Sequence, residues 1–141
     1  MLLLSLGTCG YEPMYSKKDE FNIKIQSFKL EGNKNLNKKI ISSLNLKNKN
    51  EARGFKLIIN SNKNIEAASK DASGNISIYK TTISVKISLL NKNTIFKEKT
   101  FSSDFTYNDM ENKFDLSQYQ KDIEANLINK IIEEIFIFLT L

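Results

Sequence analysis

One stretch of the sequence alternates with a period of two. From position 79 to position 89 the odd-numbered residues are apolar apart from one threonine, and the even-numbered residues are Lys, Thr or Ser. Because successive side chains of a β-strand point to opposite faces, this pattern predicts a strand with one buried face and one polar face. The buried set is Tyr79, Thr81, Ile83, Val85, Ile87 and Leu89. A chain that contains such a strand needs a second layer to cover the apolar face.

The end of the sequence predicts that second layer. Apolar residues recur there at spacings of three or four, which is typical of a long amphipathic helix. Asp115 is predicted to open this helix, where a carboxylate interacts favourably with the helix dipole. The apolar positions are Leu116, Tyr119, Ile123, Leu127, Ile131, Ile135 and Phe138.

Two further elements are predicted before position 45. Alternation over residues 21–30 indicates a strand, and its phase changes at Ser27, which a β-bulge or the end of the strand pairing there would explain. A short helix follows, with Leu36, Ile40, Ile41 and Leu44 as its apolar positions. Asn35 is the predicted N-cap, since asparagine is favoured there.

Two more strands flank the alternating one. Phe55, Leu57 and Ile59 begin a strand that keeps its parity to Ala67 across a polar interruption at residues 60–64. Residues 71–75 have the composition of a turn. Residues 95–107 form the fourth predicted strand, and residues 108–112 form a polar loop before the last helix.

The predicted order is therefore β-α-β-β-β-α over a single domain that spans residues 21–141. The fold class is α+β, a two-layer sandwich in which two helices cover one face of a four-stranded sheet. The other face, which carries Lys80, Thr82, Ser84, Lys86 and Ser88, is predicted to meet water or a partner.

The composition argues against an enzyme. The chain has no histidine, the residue that most often serves as a general base, and a single cysteine. No glycine-rich nucleotide motif, phosphate loop or GxSxG motif occurs. We therefore expect a binding or structural module without catalytic residues, without a metal site and without a cofactor.

Charge is unevenly distributed along the chain. Residues 1–70 carry 13 basic and 6 acidic side chains, whereas residues 71–141 carry 8 and 10. A basic surface can attract the phosphates of nucleic acids, lipid headgroups or anionic glycolipids. Arg53, Lys80 and Lys86 are the candidate ligand-binding residues, and the alternative is that they are solvated surface charges.

The only cysteine follows an apolar leader. Residues 1–8 resemble the end of a secretory signal peptide, although they are shorter than a complete one and contain no basic residue. Leu6 stands three positions before Cys9, and Thr8 directly precedes it. Either the leader begins upstream of Met1 or the segment is not a signal, in which case an apolar N-terminal strand is the alternative.

With these elements in place, the chain resembles the LPS-assembly lipoprotein family, the lipoprotein partner of the outer-membrane lipopolysaccharide translocon. Residues 9–15, CGYEPMY, match that family's pattern after signal cleavage. Residues 105–108, FTYN, are similar to an aromatic-x-Tyr-Asn element before its last helix. The element order β-α-β-β-β-α also agrees with the family fold, so the resemblance covers essentially the whole chain.

The resemblance implies an outer-membrane lipoprotein. Residues 1–8 would be a truncated signal peptide, Cys9 the lipidated N-terminus, and residues 9–20 the lipidated tether. The protein would lie in the inner leaflet of the outer membrane and face the periplasm. There it would plug the β-barrel of the translocon, help to assemble it, and contact lipopolysaccharide during transport to the cell surface.

Two other functions remain open. The first alternative is a periplasmic lipoprotein that binds another anionic ligand through its basic half. The second is a nucleic-acid-binding protein, which we do not expect because no interleaved aromatic and basic motif occurs.

Overall fold

A computed structural model of the chain describes residues 23–47 and 53–141. Its elements are β1 (Ile25–Gly32), α1 (Lys34–Ser43), β2 (Phe55–Lys70), β3 (Ile76–Asn91), β4 (Thr94–Asn108) and α2 (Lys113–Thr140). The predicted α+β class and the order β-α-β-β-β-α are confirmed. The predicted leader, residues 1–8, and the tether, residues 9–20 with Cys9, lie outside the described residues.

The four strands form one sheet in the order β1-β2-β3-β4. β1 runs parallel to β2, with α1 as the connection between them, and the other two pairs are antiparallel. The register of β1 shifts between Ile25 and Ser27, so the predicted bulge is confirmed. Lys92 and Asn93 join β3 to β4, and both adopt positive φ, as a tight hairpin turn requires.

The odd-numbered side chains of β2, β3 and β4 form one face of the sheet, and this face forms the hydrophobic core together with both helices. Ile83, Val85, Ile87 and Leu89 of β3 are fully buried, and α1 and α2 contribute to the same cluster. Both helices therefore lie on one face, as predicted. α2 also buries Ile128, Ile132 and Leu139, which the spacing pattern did not include. These residues widen its apolar stripe, because α2 contacts α1 as well as β3 and β4.

A polar junction ends β1 and starts α1. Gly32 has a φ of 81°, and a Cβ there would lie 2.0 Å from the carbonyl oxygen of Ser61. The Ser61 hydroxyl donates to the Asn37 side-chain oxygen at 2.7 Å, and the Asn37 amide donates to the carbonyl of Glu31 at 2.8 Å. Asn37 and Ser61 are buried, so these hydrogen bonds satisfy groups that would otherwise be costly to bury.

The N-cap of α1 is Asn33, so the prediction of Asn35 was wrong. The Asn33 side-chain oxygen accepts hydrogen bonds from the backbone N–H groups of Asn35 and Leu36, both at 3.1 Å. The helix begins earlier because the left-handed conformation of Gly32 turns the chain directly after β1. Asn112 caps α2 in the same way, and Asp115 lies in its first turn.

Replacing the two asparagines separately distinguishes the cap from its neighbour. We expect Asn33→Ala to lower the free energy of unfolding by about 1 kcal/mol, because two N–H groups of α1 lose their acceptor. The matched control Asn35→Ala lies on the exposed surface of the helix and should be near neutral. Urea denaturation measures both changes, and equal losses would contradict Asn33 as the cap.

Candidate functional site

The candidate site is the helix-free face of the sheet, formed by the even-numbered side chains of β2, β3 and β4. We call it the polar face. Four rows of side chains cross the three strands on it. The rows are Asn60–Lys86–Thr100, Asn62–Ser84–Ser102, Asn64–Thr82–Asp104 and Glu66–Lys80–Thr106. The predicted polar surface is thus present, and these rows consist of amides, hydroxyls and a few charges.

Lys86 lies on the polar face in a cross-strand cluster. Its ammonium nitrogen is 2.9 Å from a carboxylate oxygen of Glu98 on β4. The hydroxyl of Ser88 donates to the other carboxylate oxygen at 2.7 Å. The hydrogen bond from Ser88 and then the one from Lys86 lower the pKa of Glu98 below its ordinary value. The charge of Lys86 is therefore partly compensated within the protein.

Lys80 forms a second, looser pair. Its ammonium nitrogen is 3.6 Å from a carboxylate oxygen of Asp104 on β4, and both side chains are substantially exposed. Six residues separate Lys80 from Lys86 on one strand, which corresponds to about 20 Å. The structure places both lysines on the same face but does not bring them together around one phosphate group.

Arg53 is separate from both lysines. It is exposed and precedes β2, at the end of the sheet where β3 finishes. Lys86 is opposite Asn60, and Lys80 is opposite Glu66 further along β2. The three candidate residues are therefore spread along the length of the sheet.

Sequence reasoning missed the amide row of β2. The prediction that the strand continues past residues 60–64 to Ala67 is confirmed, since β2 runs from Phe55 to Lys70. The polar residues of this stretch were not, however, assigned to the helix-free face. Asn60, Asn62 and Asn64 supply one edge of the polar face. Their even parity, which matches that of the polar residues in β3, is the signal that could have identified them.

The residues that the structure describes show no metal site and no enclosed ligand pocket. Residues 23–47 and 53–141 contain no cluster of three or more Cys, Asp or Glu side chains able to hold a metal ion. Within the same ranges no helix has the length and apolar character needed to cross a membrane.

A depression of about 300 Å³ between β1 and α1 is open to solvent and is lined by Leu30, Gly32, Lys34, Asn37 and Lys38. The polar face suits contact with a surface better than capture of a small molecule.

The fold is shared with solved bacterial lipoproteins. A minor lipoprotein from Acinetobacter baumannii is similar with a TM-score of 0.65 and 12% identity, over 84% of this chain and 91% of that one. Uncharacterized lipoprotein B from Nitrosomonas europaea gives 0.60 and 12%, over 84% and 81%. Rare lipoprotein B from Shewanella oneidensis gives 0.51 and 14%, over 77% and 92%.

At these identities the similarity establishes the fold alone. No family model matches the sequence. No curated protein matches it either.

The hydrogen bond from Ser88 should control the ionisation of Glu98. We expect Ser88→Ala and Lys86→Met each to raise the pKa of Glu98 towards its ordinary value, because the hydrogen bond from Ser88 and both the hydrogen bond and the charge of Lys86 lower it. The folded-state pKa is lowered, so the stabilisation from this cluster is present above the unfolded-state pKa. It is lost as the pH falls through the folded-state pKa.

NMR titration of the Glu98 side chain measures this change. Ser102→Ala is the matched control, because its hydroxyl lies on the same face and donates to the carbonyl of Ile83 at 3.4 Å. A pKa of Glu98 that stays the same in Ser88→Ala, or that rises as much in Ser102→Ala, would contradict the assignment.

Proposed function

We propose that this protein is an outer-membrane lipoprotein that plugs and helps to assemble the β-barrel of the lipopolysaccharide translocon and contacts lipopolysaccharide during transport. Cys9 is the lipidated N-terminus, and the protein faces the periplasm from the inner leaflet. The observation that carries the proposal is the combination of the CGYEPMY motif at residues 9–15 with a fold shared with three lipoproteins.

The polar face supports the role of a plug. The lumen of a transmembrane barrel is polar, so a domain that fills it needs a surface that forms hydrogen bonds and buries few apolar groups. The rows of Asn, Ser and Thr side chains across β2, β3 and β4 meet this requirement. The cross-strand pairs Lys86–Glu98 and Lys80–Asp104 reduce the net charge that such an interface would have to bury.

Contact with lipopolysaccharide is supported less directly by the same residues. Lysine ammonium groups attract phosphates as point charges. Lys80 is the better candidate because its ion pair, at 3.6 Å, is longer than the 2.9 Å pair of Lys86, although the side chain of Lys86 is the more exposed of the two. Arg53 is exposed at the end of the sheet and would make a separate contact.

Lipid attachment at Cys9 is tested by mass spectrometry of the mature N-terminus. We expect wild-type protein to begin at Cys9 and to carry acyl chains, because several chains are needed for stable anchoring. The Cys9→Ala variant should keep its leader and leave the membrane fraction on washing. An unmodified Met1 start in wild-type protein would contradict the lipoprotein assignment.

The barrel partner is tested by purification from intact outer membranes in mild detergent. We expect the protein to copurify with one large β-barrel protein and with bound lipopolysaccharide. A matched pair of variants, Ser84→Arg on the polar face and Ser117→Arg on the exposed side of α2, separates the plug surface from the helix layer. The first should reduce barrel recovery, because a long charged side chain disturbs a packed interface, and the second should not.

Recovery as a free monomer in the wild type would contradict the plug. That result would favour the alternative of a periplasmic lipoprotein that binds another anionic ligand.

A further inference from the structure

Large apolar side chains are exposed at one end of the sheet. Ile95 is 58% exposed and Phe96 is 64% exposed, directly after the β3–β4 turn. The Phe96 ring packs on Phe55 at the start of β2, with 5.0 Å between the centroids. The last turn of α2 lies beside this region, since Lys97 donates to the carbonyl of Phe138, and the adjacent Ile137 is 55% exposed. We call this region the apolar end.

The N-terminal segment enters the domain at the apolar end. Ile25, the first residue of β1, pairs with Phe55, the first residue of β2. The backbone N–H of Phe55 also donates to the carbonyl of Lys24 at 2.9 Å. The chain that leads from Cys9 therefore joins the domain beside Phe55 and Phe96. The parallel pairing of β1 with β2 determines this arrangement.

The length of the segment makes this placement significant. Fully extended, the chain from Cys9 to Ile23 spans about 50 Å. β3 has 16 residues, which corresponds to about 50 Å as well. Only a fully extended segment would let the opposite end of the domain reach a surface to which Cys9 is attached. Any shorter path places the apolar end nearer to that surface.

The two ends of the domain differ in net charge. Around the apolar end, residues 23–25, 53–57, 89–98 and 135–141 contain five basic side chains and one acidic side chain. Around the opposite end, residues 64–82 and 104–118 contain three basic and six acidic side chains. Arg53 and Lys92 are exposed beside the apolar side chains. The opposite end also exposes large apolar side chains, namely Ile65, Phe105 and Phe114, so charge is what distinguishes the two ends. Phe114, the most exposed of the three, lies near Asp109, Glu111 and Asp115 in the sequence.

We propose that the apolar end is a second membrane contact, in which Ile95, Phe96 and Ile137 enter the interface of an anionic lipid bilayer and Arg53 and Lys92 contact its headgroups. The inference rests on the proposed function only for the lipid at Cys9. Apolar side chains flanked by basic ones are what membrane-surface segments use, since they combine buried apolar area with attraction to anionic lipids. The attraction acts within about 10 Å of the surface at 0.1 M salt, so it depends on which end approaches.

The contact gives the domain an orientation. With the apolar end at the headgroups of the leaflet that holds Cys9, the strands run away from these headgroups, and the turn at residues 71–75 is the end farthest from them. Repulsion between anionic headgroups and the six carboxylates of the opposite end disfavours the inverted arrangement. A lipid tether alone would keep the apolar end nearer to the bilayer without holding it in contact with the headgroups.

A single introduced cysteine measures this orientation. The full chain with Cys9→Ser carries one new thiol, Ile95→Cys at the apolar end or Ser73→Cys at the opposite turn, labelled with a polarity-sensitive fluorophore. Both proteins are mixed with vesicles of phosphatidylethanolamine and phosphatidylglycerol that contain brominated lipid. Residues 1–8 are common to both proteins and to the side-chain variants described next, and those variants separate the affinity of residues 1–8 for lipid from that of the apolar end. We expect strong quenching of the label at position 95 and little at position 73. Equal quenching would overturn the proposal.

Vesicle affinity tests the same contact with the side chains removed. We expect the double variant Ile95→Ser with Phe96→Ser to bind at least about tenfold more weakly, the change that corresponds to losing the burial of one large apolar side chain. Phe114→Ser is the matched control, because it removes an exposed aromatic from the acidic end and should bind as the parent chain does. Circular dichroism confirms that each variant is folded. A loss in the control as large as in the double variant would overturn the proposal.

The two proposals fail in different ways. Mass spectrometry of the wild-type N-terminus reads lipidation at Cys9 and does not depend on the apolar end. A lipidated protein whose label at position 95 is not quenched would retain the anchor and overturn the second contact. An unlipidated protein with strong quenching at position 95 would do the reverse.

Discussion

The apolar face of β3 is the constraint on which the other elements depend. Ile83, Val85, Ile87 and Leu89 are all fully buried, and each contributes about 1.5–3 kcal/mol relative to exposure. A side-chain period of two allows no slip by one residue, because such a slip would turn these four side chains outwards. The register of β2 and β4, the position of both helices and the polar character of the opposite face all follow from it.

Most of the fold could be predicted because the signal was periodic and local. The alternation in β3 and the spacing in α2 predicted two layers, and the phase change at Ser27 predicted the bulge in β1. What could not be predicted depends on contacts distant in sequence. The cap at Asn33 depends on a close approach of Gly32 to Ser61, and the extra buried residues of α2 depend on its contact with α1. No local pattern contains either contact.

The candidate site was also predicted only in the part that depends on local sequence pattern. Parity placed Lys80 and Lys86 on the helix-free face, and the structure agrees. Their carboxylate partners, Glu98 and Asp104, come from β4 and follow from the cross-strand register, which the sequence did not determine. The meeting of the start of β1, the β3–β4 turn and the end of α2 is also a result of topology. The apolar end and its basic residues therefore could not be predicted from the sequence alone.

The position of β4 in the sheet has a further consequence. Its only neighbour in the described sheet is β3, so one row of its backbone N–H and C=O groups is open along 15 residues. An open edge is a template on which another chain can add a strand. Lys97, Glu98 and Lys99 lie consecutively on this edge, and Asp104 follows. Charged side chains disfavour pairing between two sheet edges. Glu98 and Asp104, which form ion pairs with lysines of β3, therefore also disfavour edge-to-edge association between copies of the protein.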